Sequence, residues 1–196
     1  MSSVGWPNVQ SLFNKTTAVY ETIDDEQLDV IVLTETWKHS SSDISIRLAA
    51  PSGFDVIDVV RESDPGHGGI AVFYRRRYRC DRVSLPTLKS FEGLCTRLSM
   101  DGVCVILMSI YRPGSSRPAS VFFDELTGVL DMLVMHACPV VIGGDFNIHV
   151  EDPSGADAAR LQELLASFDI AQNVKGSTHR HEIALDLIVT FVGYDA

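Results

Sequence analysis

Polar residues that could hold a metal ion or contact a phosphate follow directly after short apolar segments of this sequence. The segments and their polar followers are Asp29–Leu33 with Glu35, Val103–Ile110 with Tyr111 and Arg112, and Pro139–Ile142 with Asp145 and Asn147. Ligand sites in α/β proteins collect at the ends of buried strands. We therefore expect these side chains to converge on one edge of a sheet.

The side chains at these positions supply the groups that phosphodiester hydrolysis needs. Glu35 offers the hard oxygen ligands that Mg²⁺ or Mn²⁺ prefers. Asp145 could orient or deprotonate a water molecule, Asn147 could hold a phosphate oxygen, and Tyr111 and Arg112 could contact developing negative charge. Each residue taken singly also fits a structural role, since a strand-end Glu is often a solvated charge and an Asp with a nearby Asn often forms an Asx turn. Their joint occurrence favours the catalytic interpretation.

The elements that must position these residues alternate between strands and helices. Short segments rich in Val and Ile predict strands buried on both faces, and apolar residues at helical spacing predict helices. The predicted strands are Asp29–Leu33, Gly68–Tyr74, Val103–Ile110, Pro139–Ile142 and Leu185–Val192, and the predicted helices are Leu12–Ile23, Ala119–Met135 and Ala156–Phe168. The alternation predicts an α/β or mixed α+β fold, and a length of 196 residues favours a single domain.

Charge and composition exclude some classes of protein. With 16 basic and 26 acidic residues the formal charge is −10, which argues against a protein that coats nucleic acid by bulk electrostatics. It does not exclude a nuclease, because a bound metal ion reverses the local field. No apolar segment approaches the roughly 18 residues needed to span a bilayer, so no membrane association is expected. Cys104 and Cys138 lie in or beside apolar segments and are predicted to be small core residues, which favours a reducing, intracellular compartment.

Several short motifs, taken in order, resemble those of the endonuclease/exonuclease/phosphatase superfamily, in its branch of LINE-type (non-LTR) retrotransposon endonucleases. The matching segments are Asn8–Leu12, Leu33–Trp37, Gly66–Ala71, Ile110–Pro113, Gly144–Asn147, Thr178–His179 and Leu185–Ile188. Any one of them is weak, but their ordered occurrence along nearly the whole chain is specific. The resemblance implies a two-sheet α/β sandwich of the DNase-like type with the site at one edge.

The resemblance also implies a role for individual residues. Asn8 and Glu35 would stand at the metal ion, and Tyr111 and Asn147 would contact the scissile phosphate. Asp145 would orient the attacking water. The resemblance implies two further contributions from the end of the chain: Thr178 would hydrogen-bond near the phosphate, and Asp186 would orient a catalytic histidine.

The sequence departs from the family after Asp186. The family closes with a Ser-Asp-His motif on a last strand, whereas this chain ends at Ala196 and none of its six histidines follows an aspartate. We therefore expect a domain spanning 1–196 that is incomplete at its C-terminus and lacks the closing strand. Loss of one general acid or base typically costs a factor of roughly 10²–10⁴, so we expect impaired nicking by this chain alone.

Three functions remain open on the sequence. The first is the endonuclease domain of a non-LTR retrotransposon, which would nick DNA, act in the nucleus and precede a reverse transcriptase domain. The second is a phosphoesterase of the same superfamily acting on a lipid or inositol phosphate. The third is a non-catalytic remnant that binds metal or DNA.

A basic stretch at Arg75, Arg76 and Arg77 has two interpretations. These residues could form a solvated strand end, or they could contact the phosphate backbone and position DNA without recognising its sequence. Arg112 is a further candidate for contact with DNA.

Overall fold

The computed structural model describes residues 3–38, 40, 43–61, 64, 66–150, 155–172 and 186–191. The helices within these ranges are α1 (Thr16–Asp25), α2 (Ser45–Ala49), α3 (Ser120–Leu133) and α4 (Ala156–Ser167). The strands are β1 (Val4–Gly5), β2 (Val30–Thr34), β3 (Phe54–Val59), β4 (Ile70–Arg75), β5 (Arg79–Val83), β6 (Glu92–Met100), β7 (Val103–Tyr111), β8 (Val140–Asp145), β9 (Ile170–Gln172) and β10 (Asp186–Phe191). None of these helices is long and apolar enough to cross a membrane.

The strands form two mixed sheets that pack face to face. The first has the order β1-β2-β4-β3 and the second the order β5-β6-β7-β8-β10-β9. Apolar side chains from both sheets, among them Val30, Val72 and Leu107, fill the space between them. Helices α1 and α2 cover the outer face of the first sheet, and α3 and α4 cover that of the second. The predicted α/β sandwich is confirmed.

The predicted strands and the two longer predicted helices are confirmed with small shifts at their ends. β2 is buried along its whole length, as its continuous apolar sequence predicts. The first helix begins at Thr16 and not at Leu12, because Leu12 is fully buried in a loop and its N–H donates to the carbonyl of Thr36 at 3.1 Å. Residues 185 and 192, the ends of the last predicted strand, lie outside the described residues.

Cys104 and Cys138 lie against or in the core of the second sheet, as predicted, but they form a disulfide with a Cα–Cα distance of 5.6 Å, which the sequence did not predict. The physical reason is the parallel pairing of β7 and β8. Ile106 lies opposite Val140, so the residues two positions earlier on each chain segment also face each other. The argument for a reducing compartment relied on separate cysteines and loses that support.

The topology brings several strand ends to one edge of the sandwich. β7 and β8 are parallel and end together, with Tyr111 opposite Asp145. β6 begins at this edge, with Glu92 opposite Tyr111. In the first sheet, β2 ends at Thr34, immediately before Glu35. We call this end of the sandwich the site edge.

Candidate active site

Two carboxylates from different sheets meet around one amide at the site edge. The Asn8 side chain donates from Nδ2 to Oε1 of Glu35 at 2.8 Å and to Oδ2 of Asp145 at 2.8 Å. Glu35 follows β2 in the first sheet, and Asp145 is the last residue of β8 in the second. Residues separated by more than a hundred positions in the sequence are therefore joined by a single side chain.

Backbone hydrogen bonds hold Asn8 beside the end of β2. Asn8 forms a parallel bridge with Thr34, and the N–H of Val9 donates to the Thr34 carbonyl at 3.0 Å. The Asn8 Oδ1 accepts the N–H of Gln10 at 3.2 Å, which fixes the orientation of the amide. The Nδ2 group is thereby left facing the two carboxylates.

Glu35 occupies a left-handed backbone conformation with φ of 56°. This conformation costs a residue with a Cβ roughly 1 kcal/mol or more and must be held by its surroundings. The carbonyl of Glu35 accepts the N–H of Ser11 at 2.8 Å, and its Oε2 accepts Nε1 of Trp37 at 3.2 Å. Gly69 permits this turn, because a Cβ on Gly69 would stand 2.5 Å from Oγ1 of Thr36.

Asp145 and Asn147 form a compact turn after β8. The N–H of Asn147 donates to Oδ1 of Asp145 at 3.0 Å, and Nδ2 of Asn147 donates to the carbonyl of Arg112 at 2.7 Å. Asp145 and Asn147 thus form the Asx-type turn of the structural interpretation. They also lie at the site edge, so the turn does not exclude a catalytic role. Asp145 is only 4% exposed. Burial raises the pKa of its carboxyl above the ordinary value, and the charge of Glu35 raises it further, against hydrogen bonds from Asn8 and Asn147.

Tyr111 interacts electrostatically with the carboxylates of Glu35 and Asp145 and with the guanidinium of Arg61. Burial raises the pKa of its phenol above the ordinary range, and the neighbouring charges of Glu35 and Asp145 act in the same direction. The Arg61 guanidinium lies 5.5 Å from the centre of the Tyr111 ring and opposes this shift. Tyr111 is therefore a neutral hydrogen-bond donor at neutral pH.

The pair formed by Arg61 and Glu92 was not predicted from the sequence. Arg61 Nε donates to Oε1 of Glu92 at 2.7 Å, and Glu92 Oε2 accepts the N–H of Gly69 at 2.6 Å. Glu92 thereby ties the first sheet to the second at the site edge. Neither residue stands in a recognisable motif, and β6 was not among the predicted strands, so no local signal pointed to them.

The prediction that Arg112 contacts DNA is not supported by its position. Arg112 is 4% exposed, and its guanidinium donates to the carbonyls of Phe146 at 2.7 Å, Ser116 at 2.8 Å and Asn147 at 2.5 Å. A guanidinium that satisfies buried carbonyls in this way holds the loops of the site in place. We therefore reassign Arg112 as a positioning residue.

The basic stretch Arg75, Arg76 and Arg77 lies at the opposite end of the first sheet. β4 runs antiparallel to β2, and Tyr74 lies opposite Val30. Val30 is four residues before Thr34, which is roughly 13 Å along β2 at about 3.3 Å per residue. Arg75 and Arg77 pair with Asp29, and Arg76 pairs with Asp55. These contacts favour the structural interpretation and place the stretch away from the candidate active site.

Two predicted residues, Thr178 and Asp186, lie wholly or partly outside the described part of the chain. Thr178 lies outside the described residues. The backbone of Asp186 pairs with Asp145 across the antiparallel strands β8 and β10, which places this position at the site edge. The orientation of its side chain lies outside the described part of the chain.

The charges at this edge fit a divalent cation. Within the described residues, Glu35 and Asp145 form no ion pair, and no group of three or more His, Cys, Asp or Glu residues is arranged to hold a metal. Mg²⁺ typically binds through one or two carboxylates and completes its shell with water and substrate phosphate oxygens. The carboxylates of Glu35 and Asp145, which are bridged by the neutral amide of Asn8, match this preference of Mg²⁺ for one or two carboxylate ligands.

Two packed mixed sheets flanked by helices form an α/β sandwich, a fold shared with solved structures. The chain belongs to the endonuclease/exonuclease/phosphatase family, whose model matches residues 8–192. A sequence comparison with curated proteins gave no match.

Solved structures share this fold at low sequence identity. An AP endonuclease from Leishmania major, LMAP, has 15% identity and a TM-score of 0.73, covering 97% of this chain and 79% of its own. The endonuclease domain of TRAS1, a telomere-specific non-LTR retrotransposon, has 11% identity and a TM-score of 0.73, covering 98% and 86%. The 3′ phosphatase NExo from Neisseria, bound to a product DNA hairpin, has 19% identity and a TM-score of 0.67, covering 98% and 87%. At such identities these likenesses establish the fold alone.

Proposed function

We propose that this chain is a divalent-metal-dependent phosphodiesterase that cuts DNA, of the type found in non-LTR retrotransposons. The observation that carries the proposal is the Asn8 amide bridging Glu35 and Asp145 at the junction of the two sheets. It joins a strand-end carboxylate of each sheet at one point beside Tyr111 and Asn147.

Each residue at this point has a distinct part in the proposed reaction. Glu35 would hold Mg²⁺ or Mn²⁺, which when bound would supply positive charge to the phosphate oxygens, and Asn8, whose Nδ2 donates to Glu35 and Asp145, would stand at the metal and orient the carboxylates. Asp145 would orient the attacking water and accept its proton. Tyr111 and Asn147 would donate hydrogen bonds to the phosphate as negative charge develops. The parts assigned to Thr178 and Asp186 by family resemblance belong to the same proposal.

DNA is the proposed substrate because the ordered motifs resemble the retrotransposon branch. The likeness to two endonucleases and to a 3′ phosphatase is consistent with that choice, and the phosphatase is bound to a DNA product. The same branch suggests a role in the nucleus and a reverse transcriptase domain elsewhere in the element. These finer assignments are part of the proposal.

Nicking of a supercoiled plasmid tests the proposal. We expect conversion to the open circle in Mg²⁺, none in EDTA, and a rate lowered by a factor of roughly 10² or more in Asp145→Asn. Asp131→Asn, on the exposed side of α3, is the matched control and should leave the rate unchanged.

Two results would contradict the proposal. Hydrolysis of a lipid or inositol phosphate without nicking would assign the chain to the phosphatase side of the family. Absence of both activities together with absence of divalent-metal binding would favour a non-catalytic remnant.

A further inference from the structure

The indole of Trp6 lies between the two sheets, directly below the candidate active site. Trp6 stands two positions before Asn8, and Gly143 stands two positions before Asp145. Residues two positions apart on an extended segment face the same side, roughly 7 Å from each other. Trp6 packs against the apolar cluster that fills the space between the sheets. The contact of Trp6 with Gly143 is therefore one layer below the hydrogen bond from Asn8 to Asp145.

The Trp6 ring occupies the space that a side chain at position 143 would need. A Cβ added to Gly143 would lie 2.6 Å from Cε2 and 2.9 Å from Nε1 of Trp6, and its three nearest atoms would all belong to this ring. The ring, which follows β1 of the first sheet, thus rests on the backbone of β8 in the second. Because facing sheets lie roughly 10 Å apart, a ring in this position acts as a spacer between them.

The shape of the ring holds Trp6 in this position. Its Nε1 is buried and has no hydrogen-bond partner among the described residues, so packing and not a polar contact fixes the indole. Pro7 restricts the preceding Trp6 to extended backbone conformations, and the Pro7 carbonyl accepts the N–H of Thr34 at 3.3 Å. The spacer is thereby fixed to the end of β2, from which Glu35 follows.

We propose that Trp6 is a positioning residue that makes the metal site selective for Mg²⁺ over the larger Ca²⁺, an inference that rests on the proposed function. Glu35 follows a strand of the first sheet and Asp145 ends a strand of the second, so the separation of the sheets sets the distance between the two carboxylates. One oxygen of each lies 2.8 Å from the same Asn8 nitrogen, which holds them close together.

A close and rigid pair of carboxylates favours the smaller ion. Mg²⁺ takes oxygen ligands at roughly 2.0–2.1 Å in near-ideal octahedral geometry, whereas Ca²⁺ takes them at roughly 2.3–2.6 Å in flexible geometry. Loss of the Trp6 ring lets the sheets shift relative to each other one layer below the carboxylates. Mg²⁺ binding depends on the fixed separation and is weakened more than Ca²⁺ binding.

Competition between divalent ions measures this selectivity without relying on activity. Free Mn²⁺ is followed by its EPR signal while Mg²⁺ or Ca²⁺ displaces the ion from the chain. Trp6→Ala should weaken Mg²⁺ binding by a factor of roughly 10–100, the range for residues that support metal ligands, and should lower the preference for Mg²⁺ over Ca²⁺ roughly fivefold or more. Trp6→Phe keeps a flat ring and should retain most of the preference.

A substitution on the second sheet tests whether the contact with Gly143 is responsible. Gly143→Ala introduces a Cβ whose nearest neighbours are Trp6 ring atoms, so it should displace the ring and lower the Mg²⁺ preference as Trp6→Ala does. The two substitutions together should lower it no further than Trp6→Ala alone, because effects of residues in contact are not additive.

Val105→Ala separates this role from a general loss of stability. Val105 packs against the same cluster between the sheets, six residues before Tyr111 on β7 and thus roughly 20 Å along the strand. Val105→Ala should lower the free energy of unfolding, measured in urea, and leave the Mg²⁺ preference unchanged.

A native chain that binds Ca²⁺ as tightly as Mg²⁺ would overturn the inference, as would an equal loss of preference in Val105→Ala. Effects of Trp6→Ala and Gly143→Ala that multiply would also overturn it. A native chain that binds Mn²⁺ and nicks plasmid, with the Mg²⁺ preference unchanged in Trp6→Ala, would refute the role of Trp6 and leave the proposed function intact. A native chain that binds no divalent ion would refute both.

Discussion

Gly144→Ala is expected to destabilise the chain by about 4 kcal/mol. The added Cβ would stand 1.9 Å from the carbonyl oxygen of Ile110, which is backbone and cannot move aside without breaking the pairing of β7 and β8. Gly144 also has a φ of 138°, which a residue with a side chain adopts only under strain. Overpacking of this kind typically costs roughly 1–3 kcal/mol and a strained backbone conformation roughly 1–3 kcal/mol more, so about 4 kcal/mol is the middle of the summed range.

Urea denaturation measures this effect, with Gly128→Ala as the matched control. Gly128 is in α3, exposed, and has no atom within 4 Å of an added Cβ, so its replacement should be neutral or stabilising by up to about 1 kcal/mol. If the free energy of unfolding of the Gly144→Ala chain lies within about 1 kcal/mol of that of the native chain, β7 and β8 do not approach each other as closely as described. The comparison matters for function because this approach aligns Tyr111 with Asp145.

Glu35→Gln is expected to lower the affinity for Mn²⁺ by a factor of roughly 100 or more. The substitution removes one negative charge from the pair around Asn8, and even changes behind the first ligands typically cost 10- to 100-fold in metal affinity. Gln keeps the size of Glu and an oxygen that can accept the Asn8 amide, so the fold should persist.

Isothermal titration with Mn²⁺ provides the measurement, and Glu26→Gln is the control. Glu26 is exposed after the last turn of α1 and should not affect binding. Unchanged Mn²⁺ affinity in Glu35→Gln would remove Glu35 from the metal site. Loss of affinity in the control as well would indicate diffuse binding to acidic surface residues.

The residues that follow a buried strand were predictable from the sequence. A short, continuous apolar segment locates the strand, and therefore also its end. Glu35, Tyr111 and Asp145 were found in this way, and their convergence follows from strands that end at the same edge. What the sequence does not encode locally is how the two sheets meet. The Arg61–Glu92 pair forms only because the two sheets pack together at this edge, and the sequence did not predict it.

The inward turn of Arg112 and the disulfide between Cys104 and Cys138 were not predicted, for a related reason. An arginine after a strand has the same local sequence whether it faces solvent or turns inward, and only the folded loops supply the carbonyls that bind it. Cys104 and Cys138 are 34 positions apart, and only the register of β7 and β8 brings them together. Both features follow from long-range packing.

Line broadening by Mn²⁺ in the ¹H–¹⁵N NMR spectrum of the chain tests the central claim most directly, because it locates the metal on the molecule. Substoichiometric Mn²⁺ should first remove the backbone signals of Glu35, Gly144 and Asn147 and the side-chain amide signal of Asn8. The signals of Arg76 and of Asp101, at the opposite end of the sheets, should remain sharp. Early loss at Arg76 and Asp101, or uniform broadening of all signals, would contradict a metal site at the junction of the two sheets.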